Sequence, residues 1–159
     1  MDLAGFDDRW RQTHLGRLLG EATRRFDTRV LQLMAASEQA PLALSNLAAR
    51  NKVGAAHVHI TRPLPLAGAR VSERAQAAGM TRQSMSTLVQ QCEAWGLIMR
   101  EVDPRDGRAQ RIVFTPAGLD WLAAFRVAVA QAEREFNAAV GTEVGTVIAL
   151  GLEAYTEER

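Results

Sequence analysis

Residues 71–115 contain the pattern that most constrains how this chain can fold. A short segment with small apolar residues is followed by Gly79, then by a run with one apolar and one polar side, and finally by two alternating runs around residues 103–108. Helical spacing that changes to alternation predicts two helices followed by a β-hairpin. The sequence therefore predicts a helix-turn-helix with a hairpin wing behind it.

The predicted turn between the two helices depends on small residues. We expect the first helix to begin at Ser72, because its hydroxyl can accept a free backbone N–H. Ala75 is small enough for the two helices to cross closely, and Gly79 supplies the backbone freedom that a tight turn needs. Thr81 then caps the second helix. This order of residues has the spacing of a helix-turn-helix.

The second predicted helix has two different faces. Its apolar positions recur at helical spacing, at Met85, Leu88, Val89, Cys92 and Trp95. Its other face has short polar side chains, and residues 82–91 contain neither an acid nor a lysine. An ordinary solvated face would more often carry both, whereas short polar groups suit base edges in the major groove. The predicted DNA contacts on this helix are Thr81, Arg82, Gln83, Ser84, Ser86, Thr87 and Gln90.

The predicted wing joins its strands through residues 103–108, which read Asp-Pro-Arg-Asp-Gly-Arg. One interpretation is a self-paired turn, in which each arginine is neutralised by an aspartate. In a wing, an aspartate holds the loop while an arginine reaches the minor groove or a phosphate. We expect Asp106 to be structural and Arg105 and Arg108 to contact DNA, with Arg105 ahead of Arg108.

Five short segments occur in order in this part of the chain. They are VSERA at 71–75, GMTR at 79–82, EAWGLI at 93–98, DPRDGRA at 103–109 and FTPAG at 114–118. On these segments, about a third of the chain resembles the MarR family of winged-helix transcription regulators. Arg74 and Cys92 depart from the family pattern, which usually has leucine there.

The resemblance implies a homodimer that binds double-stranded DNA. Two recognition helices would read half-sites of a pseudo-palindromic operator about one helical turn apart, and the bound protein would repress a promoter by occupying it. The resemblance also implies a small aromatic effector between the dimer helices and the winged domain. We assign Trp10, His57 and Arg62 as candidates to line that site.

The flanking segments have apolar residues at helical spacing. We expect one long helix within about residues 1–40, two shorter helical runs over 42–60, a long helix from Pro116 to about Val140, and a last helix over 144–155. Gly141 is expected to end the long helix.

The terminal helices offer more apolar surface than a small winged domain can cover, so a second copy is expected to cover it. We therefore predict one domain over 1–159, mainly α with a small β-hairpin. In it, about 1–40 and 116–159 are dimerisation helices, and about 42–115 form the DNA-binding winged helix.

The charge of the chain is unevenly distributed, although its net value is only +1. Residues 41–114 contain ten basic and five acidic side chains, whereas residues 115–159 contain three and seven. A basic middle suits a DNA-binding face, although chance clustering would give the same sums. No apolar run is long enough to span a bilayer and no signal peptide is visible, so the expected location is the cytoplasm.

Other chemistry is sparse in this sequence. His57 and His59 alternate on a predicted helix and therefore point apart, so we expect no metal site. Cys92 lies on the predicted apolar face, where a thiol is usually inert packing rather than a redox sensor. No nucleophile and base cluster together, and we expect neither an enzyme nor a cofactor. The alternative function is a winged helix that binds protein without specific DNA affinity.

Overall fold

The computed structural model describes residues 9–37 and 60–157. These ranges are mainly helical, with one two-stranded antiparallel sheet. The elements are α1 (Trp10–Thr13), α2 (Leu15–Ala35), α3 (Val71–Ala77), α4 (Arg82–Ala94), β1 (Ile98–Asp103), β2 (Asp106–Phe114), α5 (Pro116–Val140) and α6 (Thr142–Thr156). The predicted fold class, mainly α with a small hairpin, is confirmed. The helical runs expected over 42–60 lie almost wholly outside the described ranges.

The N-terminal segment is broken, so the prediction of one continuous helix there is wrong. Helix α1 ends at Thr13, and His14 has an extended backbone with φ −70° and ψ 148°. His14 then caps α2, because its Nδ1 accepts the backbone N–H of Arg17 at 3.2 Å. The apolar spacing continues through this point, and histidine is not among the preferred N-cap residues. The break therefore leaves no clear signal in the sequence.

Helices α3 and α4 form the predicted helix-turn-helix. Gly79 makes the turn with a φ of +61°, a value that residues with a Cβ rarely adopt. The backbone N–H of Met80 then donates to the carbonyl of Ala75 at 2.9 Å and closes the turn.

The start of α3 differs from the prediction at Ser72. The helix begins at Val71, and Arg70 is its N-cap residue. The backbone N–H of Arg70 donates to Glu73 Oε2 at 2.7 Å, so the acid in the first turn fixes the start of the helix. The hydroxyl expected to cap the helix thus lies inside it.

The wing has a short third partner in addition to its two strands. Ala69 forms an antiparallel bridge with Ile112 through backbone hydrogen bonds of 3.1 and 2.9 Å. Gly68 permits this approach, because a Cβ there would lie 2.6 Å from the Ile112 carbonyl oxygen. At the other end of the hairpin, the strand register is irregular just before Asp103. The bridge ties the wing to the segment that leads into α3.

One hydrophobic core connects the winged part to the long helices. Trp121 of α5, Met34 of α2 and Met85 of α4 are fully buried in it. Outside the core, Arg29 of α2 donates to both carboxylate oxygens of Glu135 of α5 at 2.7 and 2.8 Å. Within the described ranges, no helix has the length and apolar content needed to cross a membrane.

Candidate nucleic-acid interface

The first turn of α4 is fixed by two of the predicted DNA-contacting residues. Thr81 Oγ1 accepts the backbone N–H of Ser84 at 3.1 Å and donates to Ser84 Oγ at 2.9 Å. A threonine in this position satisfies a backbone donor that the helix itself leaves free. Thr81 and Ser84 are both exposed, but their hydroxyls already serve the helix start.

The other predicted contacts lie on the outer side of α4. Arg82, Gln83, Thr87 and Gln90 are exposed, and Ser86 is half-buried. The hydroxyl of Thr87 donates to the Gln83 carbonyl at 3.2 Å. The opposite side of the helix is anchored in the core by Met85, Val89 and Cys92. Helix α4 therefore presents an exposed polar surface on a rigid support.

Asp103 is the centre of the ion pairs in the wing. Its carboxylate is fully buried and accepts the backbone N–H of Arg105 at 2.9 Å, Nε of Arg70 at 2.6 Å and Nε of Arg105 at 3.3 Å. These hydrogen bonds, the backbone one first, hold the pKa of Asp103 well below its usual range. The ionised carboxylate thus joins the tip of the wing to the residue that precedes α3.

The two wing arginines are held differently. Arg105 bonds to Asp103 and also reaches Glu73 of α3 at 3.4 Å. Arg108 donates its backbone N–H to Asp106 at 3.1 Å, while its side chain is exposed and forms no ion pair with the described residues. Among the described residues, the Arg108 guanidinium is thus the less engaged of the two, whereas the expected order placed Arg105 first.

The structural role of aspartate in the wing is shared by two residues. Asp106 accepts from Arg108 and lies 3.4 Å from Nη2 of Arg70, as a structural residue would. Asp103 makes the stronger set of bonds, although the expected structural aspartate was Asp106. The only sequence signal for Asp103 is its position as the first aspartate of the loop.

The remaining acids of α4 and the wing also face arginines. Glu93 of α4 accepts from Nε of Arg100 of β1 at 3.0 Å, and Glu101 of β1 accepts from Nε of Arg111 of β2 at 2.7 Å. Each acid in these elements is therefore neutralised locally. Positive charge is left at the start of α4 and at the wing tip, where an approaching phosphate would meet little repulsion.

Cys92 has the properties of a packing residue. It is fully buried on the inner side of α4, and burial raises the pKa of its thiol to about 12. Because the thiolate is the reactive form of cysteine, burial and the raised pKa both disfavour reaction of this thiol at neutral pH. This agrees with the prediction from its place on the apolar face.

Within the described residues, no hydrogen bond, ion pair or ring contact joins the effector candidates Trp10 and Arg62. Trp10 lies at the start of α1 with 61% of its surface exposed. Arg62 pairs with Asp27 of α2 at 3.2 Å. The start of α2 and Asp27 are about 18 Å apart along the helix. His57 lies outside the described residues.

A model described as MarR family matches residues 67–109. That segment includes α3, α4 and most of the wing. A protein from Thauera aromatica, named as a transcriptional regulatory protein for the hcr operon, is 34% identical over 88 residues. The match covers 55% of this chain and 53% of that protein, so it spans about half the length of this curated relative.

Solved structures match over nearly the whole chain. The transcriptional repressor CouR, bound to a 23-mer DNA duplex, has a TM-score of 0.68 at 19% identity, covering 96% of this chain and 99% of that one. MarR from E. coli has a TM-score of 0.62 at 17% identity, covering 91% and 98%. These identities show the fold alone. The family match falls on the helix-turn-helix and wing of that same fold, so it is this part of the chain that is similar to the MarR family.

Proposed function

We propose that this protein is a sequence-specific DNA-binding transcription regulator. One observation carries the proposal, namely an exposed, acid-free polar face on α4 beside a wing whose acids are all paired with arginines. Such a surface attracts the phosphate backbone and offers hydrogen-bonding groups to bases. The names of the Thauera aromatica relative and of DNA-bound CouR support the same function.

In the proposed complex, α4 lies in the major groove and the wing follows the neighbouring minor groove. The cap formed by Thr81 and Ser84 sets the direction of α4. Arg108 reaches the minor groove or its phosphates, while Arg105 braces the wing against Asp103. The network around Asp103 thus ties the wing to the start of α3, the first helix of the helix-turn-helix.

We propose that the protein binds DNA as a homodimer through its terminal helices. Helix α6 leaves a set of large apolar side chains exposed, namely Val144, Val147, Ile148, Leu150, Leu152 and Tyr155. Trp10, Leu15 and Leu18 at the other end of the chain are exposed as well. Apolar surface of this extent marks an interaction site, and a second copy would present the same surface in return. Two recognition helices would then read two half-sites.

We further propose that the dimer represses transcription by occupying a promoter and responds to a small aromatic effector. An effector can act only if it binds one spacing of the recognition helices better than the other. Trp10 and Arg62 lie on separate elements, and a site between the two subunits would bring them together if the partner subunit contributes one of them. Release of bound operator on addition of such a compound would test this point.

The DNA-binding function is tested by fluorescence anisotropy with labelled DNA from upstream of the protein's own gene. Titrations run at low and moderate salt, with scrambled DNA of equal length as competitor. We expect tight binding that survives the competitor and weakens steeply with salt, because released counterions drive the association. Equal affinity for both DNAs, followed by selection from random DNA that yields no motif, would instead favour the protein-binding module.

A further inference from the structure

We infer that Gln83, Thr87 and Gln90 form the base-reading stripe of α4 and select A·T pairs at the centre of each half-site. The inference rests on the proposed DNA-binding function and adds the base chemistry of the operator. It follows from where these three side chains lie, what their neighbours do and how far apart they are.

The stripe is the outermost line of the helix. Residues spaced by four and three positions lie above one another on a helix surface, as Gln83, Thr87 and Gln90 do. All three are exposed. They lie opposite the side that Met85 and Val89 bury in the core. A groove that receives α4 would therefore meet these residues first.

The other polar residues of α4 have different positions or partners. Thr81 and Ser84 bond to each other at the helix start. Arg82 lies eleven residues, or about three turns, before Glu93 and so shares its side of the helix. Glu93 bonds to Arg100 of β1 at 3.0 Å, which shows that this side faces the wing. Arg82 is thus placed beside the stripe, toward the wing, where the edge of a groove carries phosphates.

The chemistry of the stripe suits adenine and thymine. A glutamine amide has both a donor and an acceptor, which match N7 and N6 of adenine in a bidentate pair. The Thr87 hydroxyl donates to the Gln83 carbonyl at 3.2 Å, so its methyl group is left to contact the methyl group of thymine. The stripe contains no arginine or lysine, the side chains that most often read guanine.

The length of the stripe sets the spacing of the bases. Gln83 and Gln90 are seven residues apart, which corresponds to about 10 Å along the helix axis. Base pairs follow each other at about 3.4 Å along a strand, so this length spans about three steps. We therefore expect two adenines about three steps apart in each half-site, with a thymine between them.

Selection from random double-stranded DNA tests the inference on the full-length protein and two variants. The wild type should enrich the A·T positions described above. Gln83→Arg should replace one adenine with guanine, with a preference of about tenfold or more, because arginine pairs with O6 and N7 of guanine. Gln76→Arg is the control: it adds the same charge at an exposed position of α3, outside α4, and it should leave the motif unchanged.

Different outcomes overturn different claims. A wild-type motif with G·C pairs at both central positions would overturn the inference and leave the proposed function intact. An unchanged motif with Gln83→Arg would do the same. Should that variant fold poorly, Gln90→Ala supplies a second test, since it should lower discrimination at one A·T position by about tenfold. Failure of the wild type to enrich any motif would overturn the proposed function and the inference together.

Discussion

At the scale of single residues, the position of the wing depends most on Asp103. A buried carboxylate is tolerated only when charged or polar groups surround it, and Arg70 and Arg105 provide them. Because its pKa is lower in the folded than in the unfolded protein, its charge stabilises the fold fully above the unfolded pKa of about 4. That contribution is lost as the pH falls below this value.

We predict that Asp103→Asn lowers the free energy of unfolding at pH 7 by more than it does at pH 3. Urea unfolding of the wild type and the variant at both pH values measures the difference. Glu133→Gln is the control, because Glu133 is exposed and forms no ion pair with the described residues. A destabilisation by Asp103→Asn that is the same at both pH values would contradict the assigned role of the charge.

Several single-residue roles could not have been read from the sequence. Arg70 meets Asp103 across 33 positions of the chain, and no local pattern predicts such a pair. The same is true of the bond from Arg105 to Glu73, which links the wing to α3. The start of α3 was missed because a backbone N–H, not a side-chain hydroxyl, provides the cap at Arg70.

At the scale of elements, the first turn of α5 packs closely against Leu97, which follows α4. A Cβ at Gly118 would overlap the backbone carbonyl of Leu97, which cannot move without shifting β1. The contact explains why a glycine occupies the first turn of a long helix.

We predict that Gly118→Ala lowers the free energy of unfolding by at least about 2 kcal/mol, because the backbone of one element must shift. Gly20→Ala provides the contrast. Among the described residues, nothing outside the backbone of α2 itself lies within 4 Å of a Cβ at Gly20, so alanine should be neutral or stabilise by up to about 1 kcal/mol. Chemical denaturation measures the change in the free energy of unfolding for both variants. Equal effects of the two substitutions would contradict the close approach at Gly118.

Element boundaries were predictable where a residue type enforces them. Gly141 has a φ of +93° and ends α5 at Val140, as predicted, because a glycine adopts this backbone without strain. The break at His14 was not predictable, since it depends on one bond from a side chain that seldom caps helices. The bridge between Ala69 and Ile112 joins segments about forty residues apart and likewise has no local signal.

At the scale of the whole molecule, the exposed apolar surface of α6 predicts a dimer interface. We predict that Val147→Glu converts a dimer to monomers, because it places a charge in the proposed interface. Leu66→Glu is the matched control, since Leu66 is similarly exposed but lies outside the terminal helices. Sedimentation equilibrium distinguishes the two masses. Dimers that persist in Val147→Glu would place the interface elsewhere.

The central claim is that α4 and the wing form the DNA interface, and the salt dependence of DNA affinity in two double variants tests it most directly. Arg82→Ala with Arg108→Ala removes two positive charges from the interface, whereas Arg25→Ala with Arg126→Ala removes two exposed ones from α2 and α5. The first pair should weaken binding and lower the slope of log affinity against log salt by about two, since each neutralised phosphate contributes about one. The second pair should change neither. Equal losses of DNA affinity in the two double variants would show that only net charge matters and would contradict the account.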